Sequence, residues 1–569
     1  MRSLALISAN QLGARAGDPL KECGAVKAGL LKNGLARLGG AFLIAATALA
    51  GAGAQQKAQA ASTLVFCSEG NPDNLAPALA RTNTSFDAIL HAYDTLVRFD
   101  AESKSIVPAL AESWTISPDG TVYTFKLRSG VRFHDTPGYT PTRTLTSADV
   151  LFSFFRQWHK DHPYHSVGNG AYNYFNDLSM GSILKSIEAV DDLTVRFTLN
   201  RPQAPFLANL SMVFAAITSA EYADTMTKRG TPELFDLEPV GTGAFQLLSY
   251  QKDNLLQYKA FEGHWAGRPP LDNLVFAITP NATVRLNRLQ AGECHVMPYP
   301  NLTDLPKIRN SPSLTLLRQE GYNVAFLTFN VERKPLDDVR VRRALSMAID
   351  KETLVDALYG DTGRTAKNPL PPTSWGYNDA ITDIPYDPKR ASQLLAEAGY
   401  ANGFEIELWH MPVARPYMPA GKRAAEMMAN DLAQVGVKAT LVTDDWSVYM
   451  KRLMNGDHQL GMIGWTGDNS DPDNFLYTLL SCEGARKGGG NMGKWCDRSF
   501  DDAIIEAKQT TDVAKRTALY HRAQEIFKDQ APWLPLAHSM VFMVLREEVT
   551  GYRMNPFGLH LFHRVDLAR

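Results

Sequence analysis

The chain has 569 residues, with 58 Lys+Arg against 60 Asp+Glu and a formal net charge of −2. At 45% hydrophobic and 21% charged it is ordinary globular material, which excludes a disordered, collagen-like or coiled-coil chain and implies at least two lobes. There is no basic excess to neutralise phosphates, so no nucleic-acid partner is expected.

The first 60 residues stand apart. They carry seven basic residues (Arg2, Arg15, Lys21, Lys27, Lys32, Arg37, Lys57) and two acidic ones (Asp18, Glu22). A small-residue apolar run follows from Ala41 to Ala54, and then Ala58-Gln59-Ala60. Charged, apolar and A-x-A cleavage regions in that order predict a secretory signal over 1–60, cleaved near Ala60, and a periplasmic product. The apolar run is too short to span a bilayer.

From Ser62 to about Tyr250, strand and turn signals dominate. Ser117-Pro118-Asp119-Gly120 is a turn in which Pro presets φ and Gly accepts positive φ. Tyr123, Phe125 and Leu127 alternate with polar residues as in a half-buried strand. Thr146 to Asp149 caps a helix running through Phe154-Phe155. Val240 to Phe245 is a glycine-bracketed approach to a strand, and Leu274 to Ile278 is another strand.

Beyond Tyr322, helices and strands alternate. Asp387-Pro388 opens a helix that Gly399 ends. Phe404–Trp409 follows as a strand, Ala424–Val435 as a helix, Val437–Val442 as a strand, Trp446–Met454 as a helix and Gln459–Trp465 as a strand. This order predicts a parallel sheet with right-handed crossovers. A last helix, about Val513–Lys528, leads to a strand near Ser539–Leu545.

Cys67, Cys294, Cys482 and Cys496 lie beyond the leader. An even number in an exported chain predicts two disulfides, and four cysteines allow three pairings. Pairing Cys482 with Cys496 closes a short loop and stabilises by roughly 3 kcal/mol.

Ligands of open α/β sheets sit beyond the carboxyl ends of the strands. Two such loops follow Phe404–Trp409 and Gln459–Trp465. The first holds Arg415 between prolines and then Tyr417. The second holds Asp468, Asp471 and Asp473 among Gly and Asn, just after Trp465. A cation and an anion on one rim suit a small zwitterion, because Arg grips carboxylates bidentately and Asp accepts from an ammonium. The plainer reading is that Arg415 is a solvated charge and that the acids only make Asx-turns. Gly488–Lys494 imitates a phosphate loop, but Trp495 stands where Ser or Thr must hold magnesium. Ser182–Lys185 matches S-x-x-K without its partner motifs. The 13 histidines form no ligand-spaced cluster, and no metal or cofactor is expected.

Longer stretches carry a resemblance: Thr63–Gly70 (TLVFCSEG), Pro239–Gly243 (PVGTG), Lys334–Arg340 (KPLDDVR), Met411–Pro416 (MPVARP), Gly464–Asn469 (GWTGDN) and Asp471–Phe475 (DPDNF). On these the chain, from about Ser62 to Arg569, resembles the family-5 extracellular solute-binding proteins of ABC importers. The resemblance implies a two-lobed α/β periplasmic-binding-protein (Venus-flytrap) fold with two hinge crossings, near Gly321-Tyr322 and Leu536–Ser539. It places lobe I over 61–321 with an extra subdomain about 93–242, lobe II over 322–538, and a return to lobe I over 539–569. It implies that a monomer captures a dipeptide and hands it to an inner-membrane ABC permease. Asp468 would take the α-amino group and Arg415 the α-carboxylate, with Tyr417 and Trp465 flanking. Thr82, Asn83 and Thr84 would meet the ligand from the other lobe, although Arg81 to Thr84 departs from the smaller residues and glycine expected there. The resemblance supports pairing Cys67 with Cys294 and Cys482 with Cys496. Haem, glutathione or a longer peptide are alternative ligands on the same fold. A secreted hydrolase is the distant alternative, and no nucleophile–base signature is present for it.

Overall fold

In the computed structural model, residues 61–568 are described; the leader expectation lies outside them. One sheet of 12 strands runs through both lobes. In the first lobe the buried strand Thr63–Ser68 pairs in parallel with Asn273–Ile278 and with Val296–Pro298. Leu255–Ala260 and Phe245–Gln251 extend that side antiparallel. Leu64, Phe66, Leu274 and Phe276 build the core beneath, and Phe562 and Val565 of the returning chain pack into it.

In the second lobe, Phe404–Trp409 pairs in parallel with Val437–Val442 and Leu460–Thr466. These bounds follow the alternation in the sequence. These three strands are parallel, as their order predicts, but the sheet they join is mixed: Asn323–Phe329 lies antiparallel to Leu460–Thr466 and to Trp533–Arg546. Asn323–Phe329 is buried along its whole length, so it has no polar face to alternate.

The strand expected near Ser539–Leu545 is Trp533–Arg546, twice the length expected. Its first half pairs with Asn323–Phe329 in the second lobe, and its second half with Leu314–Glu320 and Val296–Pro298 in the first. The crossing near Leu536–Ser539 is therefore continuous strand. The other crossing is Gly321-Tyr322, between Leu314–Glu320 and Asn323–Phe329. The two crossings are hydrogen-bonded: Gly321 N donates to Ser539 O (3.0 Å), and Ser539 N donates to Asn323 Oδ1 (3.0 Å).

A third core, with residues from Ala76 to Val240, surrounds a four-stranded antiparallel sheet of Ala111–Ile116, Val122–Leu127, Thr194–Leu199 and Leu184–Asp191. Helices that the strand-rich reading of this region did not foresee pack on it, among them Ala220–Arg229 and Phe206–Leu210. The helix Ser147–Trp158 starts as expected, with Thr146 N donating to Asp149 Oδ2 (2.9 Å), and it buries Val150 and Phe154. Arg156 on the same helix is buried against Asp236 (2.8 Å). Cys67 is bonded to Cys294, and Cys482 to Cys496.

Candidate functional site

A cavity of about 170 Å³ opens between the lobes. All seven residues singled out as ligand contacts line it: Thr82, Asn83 and Thr84 from the first lobe, and Arg415, Tyr417, Trp465 and Asp468 from the second.

The loop after Phe404–Trp409 turns back on itself. Arg415 N donates to Met418 O (3.0 Å) and Met418 N to Arg415 O (2.9 Å), which holds the half-buried Arg415 at the cleft. Its guanidinium lies 5.2 Å from the ring centroid of Trp446, a second wall residue. Among the described residues no carboxylate comes within 4.0 Å of it, so the cation keeps its hydrogen-bonding fork for something else. Tyr417 is buried, its carbonyl accepts from Tyr359 OH (2.6 Å), and burial raises its phenol above the ordinary value.

The loop after Leu460–Thr466 sorts its three acids. Asp471 accepts from Arg516 Nη2 (2.8 Å) and Tyr520 OH (3.2 Å), all buried. Asp473 lies 3.5 Å from the buried Lys508 Nζ. The plainer reading of the acids as loop structure therefore holds for these two. Asn469 Oδ1 accepts from Asp471 N (2.9 Å), and Asp471 Oδ1 from Asp473 N (3.1 Å), as Asx-turns do. Among the described residues no cation lies within 4.0 Å of the Asp468 carboxylate. Asn474 Oδ1 fixes its loop by accepting from Asp468 N (2.9 Å) and from Trp465 Nε1 (3.1 Å). Asp468 Oδ1 accepts from Tyr174 OH (3.1 Å), across the cleft. Desolvation pushes its carboxyl up to about 7, against the lowering effect of Asn474 and Tyr174. A desolvated carboxylate beside the cleft is primed to accept a cation.

On the facing lobe, Thr82 caps the helix Asn83–Ile89 by accepting from Ser85 N (3.3 Å). Asn83 Nδ2 donates to Phe557 O (3.1 Å), and Thr84 Oγ1 to Glu69 Oε1 (2.6 Å). Glu69, Tyr174, Tyr299, Trp446 and His560 also line the cleft, and reading the residues did not single them out. Glu69 lies in a quoted stretch (TLVFCSEG), and that was its only signal. The others are brought in by packing between segments far apart in sequence. Gly488–Lys494 is no phosphate loop: Lys494 Nζ donates to the carbonyls of Met454 (2.8 Å) and Arg486 (3.0 Å). Among the described residues no group of His, Cys, Asp and Glu is placed to hold a metal.

Two lobes joined by paired crossings, with Arg415 and Asp468 on the second-lobe wall of the cleft and neither in an ion pair among the described residues, define a solute-binding protein of the clamshell type. The model of the bacterial extracellular solute-binding proteins, family 5 Middle, matches residues 105–487, and the chain belongs to this family. It is 48% identical over 542 residues to the dipeptide-binding protein of Escherichia coli (strain K12), covering 95% of this chain and 99% of that one. It is also 48% identical over 514 residues to heme-binding protein A of Haemophilus influenzae, covering 90% of this chain and 94% of that one. A crystal structure of the dipeptide-binding protein of Pseudoalteromonas sp. SM9913 in complex with Met-Leu superposes with a TM-score of 0.85 at 36% identity, covering 89% of this chain and 100% of that chain.

Proposed function

We propose that this protein captures dipeptides between its lobes in the periplasm, as a monomer, and delivers them to an ABC importer of the inner membrane. The carrying observation is the pair of opposite charges left without ionic partners on one cavity wall, Arg415 and Asp468. Arg415 takes the α-carboxylate and Asp468 the α-ammonium. Tyr417 and Trp465 wall the peptide, and Thr82, Asn83 and Thr84 close on it from the first lobe. An extended dipeptide is about 7 Å long. A free amino acid leaves one of the two charges unpaired, which costs several kcal/mol when the site is closed. The ligand favours closure because it touches both lobes. The E. coli and Pseudoalteromonas relatives support this reading through the ligand in their names, and the Haemophilus relative supports haem as a second cargo.

Isothermal calorimetry with Ala-Ala tests the assignment. Asp468→Ala and Arg415→Ala each weaken binding by about 2–5 kcal/mol, the range for truncating one partner of a desolvated ion pair. Wild-type affinity in both variants refutes it. Titration with haemin under the same conditions, read as a Soret band, measures the second cargo.

A further inference from the structure

Asp468 lines a second cavity as well as the interlobe cleft. This chamber, of about 210 Å³, lies behind Asp468, between the helix Asn83–Ile89, the extra subdomain and the returning C-terminal chain. Asn83, Tyr174, Asp468, Met554 and Asn555 belong to the walls of both cavities, and Asp468 is the one carboxylate on that shared wall. The chamber near this junction is walled by aromatic rings. Tyr174 lies edge-on to Phe86 at 5.7 Å and parallel to Phe214 at 6.4 Å. Phe99 and Phe557 lie 4.6 Å apart on the other side. Beside them Asp94 Oδ2 accepts from Trp265 Nε1 (2.9 Å) and from Thr242 Oγ1 (2.8 Å), while His91 Nε2, Arg98 Nε and His563 Nε2, also on the chamber wall, are buried with no hydrogen-bond partner among the described residues.

We infer that this chamber receives the side chain of the ligand's first residue and selects large aromatic side chains there. The inference rests on the dipeptide reading above. With the α-ammonium on Asp468 and the carboxylate on Arg415, the peptide spine runs away from the chamber. Only the first Cα is then one bond from the nitrogen at the shared wall. The second side chain leaves the spine near Arg415, which does not line the chamber. A small first side chain leaves this aromatic volume to water. An indole or phenyl ring removes apolar surface from water on both sides and gains ring–ring contact.

Calorimetry on the full chain with a sequence-reversed pair tests this. Trp-Ala binds about tenfold or more tightly than Ala-Trp, although composition, charge and length are the same. Ser211, half-buried on the chamber wall and absent from the cleft wall, supplies a second arm. Ser211→Trp fills the chamber, weakens Trp-Ala about tenfold and leaves Ala-Trp within about twofold of wild type. Equal wild-type affinities for the two peptides overturn the inference and leave the dipeptide reading standing, however the variant folds. A variant that keeps full Trp-Ala affinity overturns it as well. Failure of both peptides to bind the wild type refutes the dipeptide reading itself, and the inference falls with it.

Discussion

Asp471 accepts two hydrogen bonds from the buried Arg516 (2.8 Å each), while Asp468, three residues earlier, has only neutral donors, Tyr174 and Asn474. That difference separates a structural carboxylate from the one proposed above to take the ligand's ammonium. It also gives the site a pH dependence. The carboxyl of Asp468 titrates at about 7 in the unliganded protein, far above an ordinary aspartate near 4, because burial penalises its charge. The ammonium of a ligand binds the ionised form. Below about pH 7 binding must therefore expel a proton, and affinity falls by up to about tenfold per pH unit; above it, affinity is flat until the ligand amine titrates near 8. The sign for folding is the reverse of the usual aspartate. The native state holds a proton that the unfolded chain gives up near pH 4, so Asp468 makes the unliganded protein less stable as pH rises from about 4 to 7. Calorimetry at about pH 6 in phosphate and in Tris counts the protons: close to one released per dipeptide. Affinity that does not change with pH below 7, with no proton released, contradicts the role given to Asp468.

The strand Leu460–Thr466 carries the second site loop and also shapes the first. A Cβ on Gly464 would stand 2.2 Å from Tyr417 Cδ2 and 2.6 Å from Val324 O, so only glycine lets the Tyr417 ring lie against this strand. Gly464→Ala displaces that ring into the cleft, because the Tyr417 carbonyl is tied to Tyr359 OH. Dipeptide affinity falls about tenfold or more, and overpacking costs about 1–3 kcal/mol of stability. Calorimetry and urea unfolding measure the two effects. Loss of stability without loss of affinity takes Tyr417 off the ligand wall. The same strands explain how far sequence alone could reach. Phe404–Trp409 and Val437–Val442 were legible because each has one wetter face. Arg415 and Asp468 were legible because parallel strands place both following loops on one edge. The first half of Trp533–Arg546 was not: Pro535 cannot donate to a ladder, and it sits opposite Phe326 where the register shifts. Tyr174 was not legible either, since its one functional contact is with a residue 294 positions away.

Across the whole molecule, the hinge and the latch lie on different segments. Ser539 anchors the hinge: besides its bonds to Gly321 and Asn323, its hydroxyl donates to Pro416 O (2.8 Å), next to Arg415. The latch is made by the extra subdomain. Tyr174 meets Asp468, Ser179 Oγ meets Tyr477 OH (3.0 Å), Asp177 pairs with Arg486 (2.7 Å), and Asn209 Oδ1 accepts from Asn469 Nδ2 (3.1 Å). In the closure proposed above, these contacts add to whatever the ligand contributes. Asn209 and Asn469 are both buried, and Asn209 lines neither cavity. Asn209→Ala leaves the Asn469 amide without this acceptor in the closed state, whereas water supplies one when the lobes part. Losing a buried partner costs about 1–3 kcal/mol, and here the closed state alone bears that cost. Encounter with the open cleft is untouched. Dipeptide dissociation is expected to speed up by about five- to a hundredfold, with association within about twofold of wild type. Stopped-flow fluorescence of the cleft tryptophans Trp465 and Trp446 separates the two rates. An unchanged dissociation rate shows that the subdomain does not hold the lobes shut, and a loss confined to association shows that it shapes the open mouth instead.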